Sequence, residues 1–204
     1  MTLAEILLIA YLLGSIPTGL LLARIKGIDI RKSGSGNIGF TNVMRVAGKD
    51  RTGKLIGFLT LAGDMGKGAL AVRIGLHQGS EWAPALAGLA VFLGHIFSFW
   101  LRGRGGKGVA TGLGISLGIN PVLGALVCLP WALIFMATRT SSLASLGSFA
   151  LMPLLALLWK HLLPSPNNTL PPHTLLLFLF MTLLVFFRHK DNISRLRKGH
   201  ENKI

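Results

Sequence analysis

Hydrophobic residues in this chain run in long blocks, and the polar residues gather between the blocks. Seven apolar stretches can be drawn, near 3–24, 54–76, 82–101, 107–119, 121–138, 142–160 and 173–188. Most reach the roughly 17–25 residues that a helix needs to cross a hydrocarbon core. The pattern predicts an all-α, polytopic integral membrane protein with about seven transmembrane helices. The fourth stretch is short and rich in glycine, which predicts a partial or broken span whose backbone is buried among neighbours. Gly14-Ser15-Ile16-Pro17-Thr18-Gly19 interrupts the first stretch and predicts a kink with close helix contact. The segment 165–172, SPNNTLPP, is turn-rich and predicts a loop on the outer side.

The polar segments decide orientation. Lys26, Arg31, Lys32, Arg45, Lys49 and Arg51 fall between the first two stretches; Arg102, Arg104 and Lys107 fall between the third and fourth. Arg139 follows the fifth, and the tail adds Lys190, Arg195, Arg197, Lys198 and Lys203. The alternate loops offer little beyond Glu81 and Lys160. Positive-inside sorting then puts the basic loops and the C-terminus in the cytoplasm and the N-terminus outside, which an odd number of spans satisfies. The N-terminal run lacks a basic leader, so it reads as an uncleaved first span. One membrane-embedded domain over 1–204 is expected, with motif loops near 25–53, 102–108, 138–142 and 188–204.

Composition agrees with this reading. Only 14% of the residues are charged, against about 25% in a soluble domain, and the mean hydropathy is +0.60. The net charge of +14 raises nucleic acid as a partner, but no nucleic-acid module fits such a chain and positive-inside retention accounts for much of the charge. No nucleic-acid partner is expected. Cys128 lies alone in an apolar run, which excludes a disulfide framework and a thiolate metal site. The seven carboxylates do not cluster, so no metal is expected.

Candidate chemistry sits in the loops. The first carries Ser33-Gly34-Ser35-Gly36-Asn37-Ile38-Gly39-Phe40-Thr41-Asn42-Val43-Met44-Arg45. Its glycines permit backbone conformations that expose consecutive N–H groups, the arrangement that cradles anions. Ser35, Asn37, Thr41 and Asn42 add neutral donors, and Arg45 adds a planar fork suited to phosphate. A helix starting at Thr41 would add its positive end. The second loop, Arg102-Gly103-Arg104-Gly105-Gly106-Lys107-Gly108, opens into an apolar segment and resembles a phosphate-binding turn, although Gly108 after Lys107 breaks the Walker pattern and disfavours ATP hydrolysis. Thr138-Arg139-Thr140-Ser141-Ser142 reads by itself as a helix cap with an orientation charge. Arg188, His189, Asp191, Asn192 and Arg195 begin the tail; a polybasic surface explains the arginines but not His189 or Asn192. Asp64 and Lys67, three apart at membrane depth, read first as a structural pair.

Together these segments resemble the bacterial membrane acyl-phosphate:glycerol-3-phosphate acyltransferase family. The first loop matches its GSGNxGxTNxxR signature, with Phe40 where alanine is common. The second matches GHxFxxF…GGKGVAT, with Ser98 where proline is frequent and Arg102-Gly103-Arg104 as a local variation. TRTSSLAS at 138–145, RHKDNISRLRKGHE at 188–201 and Asp64-x-x-Lys67-Gly68 follow in the family's order. The resemblance implies a seven-helix inner-membrane enzyme that acts at the cytoplasmic face without a cofactor. Its partners would be acyl-phosphate and glycerol 3-phosphate as substrates, with membrane lipids around it, and its products lysophosphatidate and inorganic phosphate. Catalytic roles would fall to Ser35, Arg45, Lys107, His189 and Asn192. Substrate phosphates would be held by Gly34, Gly36, Asn37, Gly39, Thr41, Asn42, Arg104, Gly105, Gly106, Gly108, Ser141 and Ser142.

An acyl-phosphate is already activated, so positioning and charge stabilisation would supply most of the acceleration. The expected layout is two cradles, Ser35 with Arg45 around one phosphate and Gly105 to Gly108 around the other. The proton acceptor is His189 or a substrate phosphate oxygen. A transporter of phosphorylated anions would favour midplane sites and internal repeats, and none is visible. A scaffold binding anionic lipid explains the basic residues but not the Ser, Asn, Thr and Gly between them.

Overall fold

The computed structural model describes residues 1–162 and 170–203, with the side chains of 160–162 left aside. The predicted outer loop at 165–172 lies mostly outside the described residues. Among those residues the regular structure is helical throughout.

The first apolar stretch forms α1 (Leu3–Ser15) and α2 (Thr18–Arg24), bent by 40° at Ile16 and Pro17. Pro17 has no N–H to continue the ladder, so the carbonyls before it need other donors. Ser98 Oγ donates to the Ser15 carbonyl at 2.6 Å, and Lys67 Nζ donates to the Ile16 carbonyl at 3.0 Å. The expected kink is therefore present, and the buried lysine helps to satisfy it. Lys67 also lies 2.8 Å from Asp64 on the same helix, the structural pair expected from their spacing.

The first loop makes one 3-10 turn at Ile30–Lys32 and then a short helix, α3 (Phe40–Ala47). The long α4 (Arg51–Leu76) follows, capped by Asp50, whose Oδ1 accepts the Gly53 N–H at 2.7 Å. Next come α5 (Ala83–Ile96), a 3-10 turn at Phe99–Leu101, α6 (Val109–Ile119), α7 (Pro121–Thr138) and α8 (Ser141–Leu162). The chain ends in α9 (Pro172–Arg188) and α10 (Lys190–Arg197), set 61° apart.

Among the described residues, four helical segments are long and apolar enough to cross a membrane, or six if each bent pair counts as one span. The fourth predicted stretch forms only the 11 residues of α6. At about 1.5 Å per residue that is roughly 16 Å, about half of a hydrocarbon core. Seven full crossings are therefore not what the helix lengths give.

Packing follows small residues. Gly14 on α1 and Gly94 on α5 each face backbone of the other helix, and Gly68 on α4 and Gly114 on α6 do the same, so a Cβ at any of them would strike main chain. This is the close approach by which membrane helices gain dispersion contact. Phe92, Ile115, Phe149, Met152, Phe178 and Met181 fill the centre. Leu183 and Phe187 on α9 and Phe58 on α4 point outward, 71%, 63% and 58% exposed. In water such a surface would aggregate; in a bilayer it is the lipid face.

A second apolar cluster matters for the site. Leu20, Ala23, Ile30, Ile38, Val43, Ala47 and Ile56 pack together and seat the first loop and α3 on α2 and α4. The glycine-rich loop thereby has a fixed base.

Candidate active site

One cavity is lined by side chains from all four motif loops. Ser35, Asn37, Gly39, Thr41 and Arg45 come from the first loop and α3; Lys107 and Gly108 come from the second loop. Ser141 and Ser142 start α8, and His189 and Asn192 flank the start of α10. The two loops expected to form separate cradles face the same space.

The first loop is held from inside. Asn42 is fully buried; its Nδ2 donates to the carbonyls of Ile30 and Ser33, and its Oδ1 accepts the Ser35 N–H at 2.8 Å. With its oxygen and both amide hydrogens engaged, Asn42 holds the loop's shape and has no donor left for a substrate. Gly34 packs against Asn42, and Gly36 turns toward a neighbouring groove, so neither lines the cavity. Thr41 Oγ1 and Ser141 Oγ lie 2.7 Å apart, tying α3 to α8 at the rim.

The second loop is latched from both sides. The N–H groups of Gly105 and Gly106 donate to the carbonyls of Ile96 and His95 at 3.0 Å each. Arg188 Nη2 donates to the carbonyls of Gly105 and Gly106 at 3.3 and 3.2 Å. The expectation that these two amides cradle phosphate is therefore corrected: they are spent on the turn. Arg104 is corrected likewise, since it faces the neighbouring groove. Gly106 lies against the His95 ring, where a Cβ would collide. Gly108 takes φ +86 as it caps α6 and would strain any larger residue. This hands the cavity wall to Val109 and Ala110, the positive first turn of α6.

Lys107, presented by that turn, donates a hydrogen bond to Asn192 Oδ1. Asn192 Nδ2 donates in turn to Glu201 Oε1 at 2.6 Å, and Ser142 Oγ donates to the same oxygen at 2.9 Å. Arg195 Nε completes the clasp at 2.7 Å from Glu201 Oε2. Burial acts to raise the Glu201 pKa, but hydrogen bonds from Asn192, Arg195 and Ser142 together hold it below the usual carboxylate range. Arg45 forms no ion pair among the described residues.

His189 sits just beyond the apolar run of α9, and α10 after it is polar. Its Nδ1 lies 2.8 Å from the Val185 carbonyl. A carbonyl only accepts, so Nδ1 carries the proton and Nε2 keeps its lone pair. Burial, with repulsion from Lys107, pushes the imidazole down to about 4, so it is neutral at ordinary pH.

Several cavity residues were not named as site candidates from the sequence, although Asp64, His95, Arg195 and Glu201 fall in segments singled out there. Glu201, Arg195 and Asn202 arrive from the tail, while Asp64 and His95 come from inside the helix bundle, with His95 Nδ1 3.7 Å from Asp64 Oδ1. Phe40, Leu61, Leu113 and Trp131 form an apolar flank, Phe40 and Trp131 meeting edge to face at 6.5 Å. The cavity thus joins cationic and hydroxyl donors to an apolar wall, an arrangement suited to a molecule with an anionic head and a hydrocarbon tail.

The chain matches known proteins along its length. A family model described as glycerol-3-phosphate acyltransferase matches residues 4–199. A glycerol-3-phosphate acyltransferase of Geotalea daltonii is 47% identical, over 98% of this chain and 97% of its own length. One from Jannaschia sp. is 45% identical, over 97% and 90%. The fold superposes on a crystal structure of PlsY, an integral membrane glycerol 3-phosphate acyltransferase, in its glycerol 3-phosphate form. That match has a TM-score of 0.87 and 33% identity, covering 99% of this chain and 95% of that one. The same protein's lysophosphatidic acid form superposes with a TM-score of 0.83. With a cavity of this chemistry inside a membrane helix bundle, the chain belongs to the glycerol-3-phosphate acyltransferase family.

Proposed function

We propose that this protein transfers a fatty acyl group from acyl-phosphate to sn-glycerol 3-phosphate, releasing lysophosphatidate and inorganic phosphate. This is the first acylation of phospholipid synthesis. The observation that carries the reading is the convergence of Ser35, Arg45, Lys107, His189 and Asn192 on one cavity with an apolar flank. Both substrates bring a phosphate, and both cationic loops face the place where they would meet.

In this reaction the glycerol hydroxyl attacks the acyl carbonyl carbon. The carbonyl–phosphate C–O bond breaks, and phosphate departs with its bonding electrons. Arg45 and Lys107 neutralise the two phosphates, and Ser35, Asn37 and Thr41 add neutral donors. The hydroxyl proton passes to a phosphate oxygen of the donor. That oxygen gains basicity as the C–O bond breaks and the group becomes free phosphate, whereas burial pushes His189 down to about 4, which makes the imidazole a weak base. His189 Nε2 instead accepts a hydrogen bond that orients the glycerol hydroxyl. Asn192 seats Lys107.

We place the cavity at the cytoplasmic face of the bacterial inner membrane, with the N-terminus outside and the C-terminus inside. The basic loops that positive-inside sorting retains are those that line the site. On this topology α6 passes partway into the bilayer from the cavity and α7 returns, giving seven membrane segments.

Offering purified protein labelled glycerol 3-phosphate with acyl-phosphate, acyl-CoA or acyl carrier protein thioester tests the donor. Lysophosphatidate should form from the acyl-phosphate alone. Product from a thioester but none from acyl-phosphate would overturn the assignment.

A further inference from the structure

Beside the active-site cavity runs a second groove, of about 720 Å³, that the acyl-transfer chemistry does not use. Its cations are Arg31, Lys32, Arg102 and Arg104, and Trp100 forms part of its wall. Arg31 is turned onto Asp29, at 2.8 and 2.6 Å. Lys32, Arg102 and Arg104 form no ion pair among the described residues. Asp29, the groove's one carboxylate among the described residues, is taken up by Arg31, so three like charges face the opening without an ion-pair partner of their own.

The turn that presents two of them is a built feature. The N–H groups of Arg102, Gly103 and Arg104 donate to the carbonyls of Phe99, Ser98 and Leu101, at 3.2, 2.9 and 3.0 Å. Arg102 adopts φ +51, a left-handed conformation that an arginine takes only against a steric penalty. Next to this turn, Phe99 and Trp100 are 60% and 58% exposed, their rings edge-on at 5.1 Å. Large rings left open beside arginines are the signature of the membrane–water boundary, where ring bodies meet acyl chains and cations meet headgroups.

We infer that this groove binds the phosphodiester headgroup of an anionic phospholipid from the surrounding bilayer. Lys32, Arg102 and Arg104 hold the phosphate, and Trp100 and Phe99 lie along the start of the acyl chains. Charge complementarity selects an anionic over a zwitterionic lipid. The aromatic wall selects a lipid over free phosphate, which has no use for it. Lys32 belongs to the first loop and the two arginines to the second, so the headgroup spans both. The groove floor includes Gly36 and Gly105, adjacent to Ser35 and two residues before Lys107. A bound lipid therefore clasps together the two loops that also line the active-site cavity. The inference borrows from the proposed function only the side of the membrane.

Binding is read without substrates, so its outcome is separate from that of the acyl-transfer assay. The protein is placed in nanodiscs of phosphatidylcholine with increasing phosphatidylglycerol, and retained lipid is counted by native mass spectrometry alongside the melting temperature. Wild type should retain phosphatidylglycerol and melt higher as it is added. The triple variant Lys32→Gln, Arg102→Gln, Arg104→Gln should lose on the order of tenfold in retention and all of the melting shift. A control removing equal charge from the tail, Arg197→Gln, Lys198→Gln, Lys203→Gln, should keep both. The single variant Arg102→Lys, which keeps the charge, should retain most of the lipid and guards against misfolding of the triple. Equal loss in the groove and tail variants would overturn the inference in favour of diffuse surface charge. Full displacement of the lipid by millimolar inorganic phosphate would overturn it in favour of a free-anion site.

Discussion

The ammonium of Lys107 donates a hydrogen bond to the side-chain oxygen of Asn192, 85 positions further along the chain. One residue stands on the turn before α6 and the other on the first turn of α10. Their contact makes the second loop and the tail parts of one site. Glu201 extends the link by holding Asn192, Ser142 and Arg195 together.

Removing the charge at either loop should weaken substrate handling. Lys107→Ala and Arg45→Ala are each expected to lower kcat/KM for a phosphate substrate by about tenfold to a hundredfold, the usual worth of a charge-assisted hydrogen bond. Steady-state kinetics with each substrate varied in turn would show which phosphate each cation serves. Unchanged kinetics in both variants would remove the shared-cavity account.

Lys107 also gives the reaction an alkaline limb. Burial, followed by repulsion from Arg195, lowers its ammonium to about 8. The pKa is depressed, so the charged form is present below pH 8 and is lost as pH rises through it. KM for a phosphate substrate should climb above pH 8 in the wild type. Lys107→Arg, whose guanidinium stays charged, should keep a flat KM to higher pH, and an identical alkaline limb in both proteins would assign that limb to another group.

His189→Ala separates positioning from proton transfer. With a phosphate oxygen as the acceptor, the variant should lose roughly tenfold in kcat/KM, the worth of one hydrogen bond, and keep measurable turnover. Loss of all activity, restored by added imidazole, would make His189 the base.

Glu201 should matter to stability as much as to rate. Its side chain is 9% exposed, and Glu201→Ala would leave Arg195, Asn192 and Ser142 without their common acceptor. Unpaired donors of this kind cost on the order of 1–3 kcal/mol each, so the apparent melting temperature should fall by several degrees. The carboxyl pKa is held below its usual range, which makes this contribution full above the ordinary carboxylate value and lost as pH falls through the lowered one. A melting curve across pH 3 to 7, wild type against Glu201→Gln, would show the two converging at the acid end.

Gly106→Ala tests the latch beneath Lys107. The added methyl meets the His95 ring, and the loop has little room to move because both of its glycine amides are bonded. Activity should fall at least as far as in Lys107→Ala, while Gly103→Ala at the same turn, where a Cβ meets nothing within 4 Å but φ is +80, should be milder. Equal losses would point to backbone conformation rather than to His95.

Much of this was legible in the chain. Apolar blocks mark the helices because a bilayer demands uninterrupted hydrocarbon, and Pro17 marks the break because it removes a backbone donor. Ser35, Arg45 and Lys107 could be singled out because glycine, hydroxyl and cation recur together in their loops, whereas catalytic roles for His189 and Asn192 came from the resemblance of the tail motif. What a linear reading missed is the division of labour within the loops. Asn42 looked like a substrate donor, but the fold turns its amide inward onto Ile30, Ser33 and Ser35. Gly105 and Gly106 looked like an amide cradle, but His95 and Ile96 claim their hydrogens. Glu201 was quoted only as the last residue of the tail motif, since its three partners converge only once α8 and α10 have packed. The length of α6 was ambiguous for a related reason: glycines before its N-terminal end serve a turn rather than a span.

The most direct measurement of the central claim is the stoichiometry of products with acyl-phosphate and labelled glycerol 3-phosphate in reconstituted vesicles, for wild type and for Lys107→Ala. The account predicts one inorganic phosphate for each lysophosphatidate in the wild type, and both products falling together in the variant. Phosphate released without lysophosphatidate, or lysophosphatidate formed at full rate by Lys107→Ala, would contradict it.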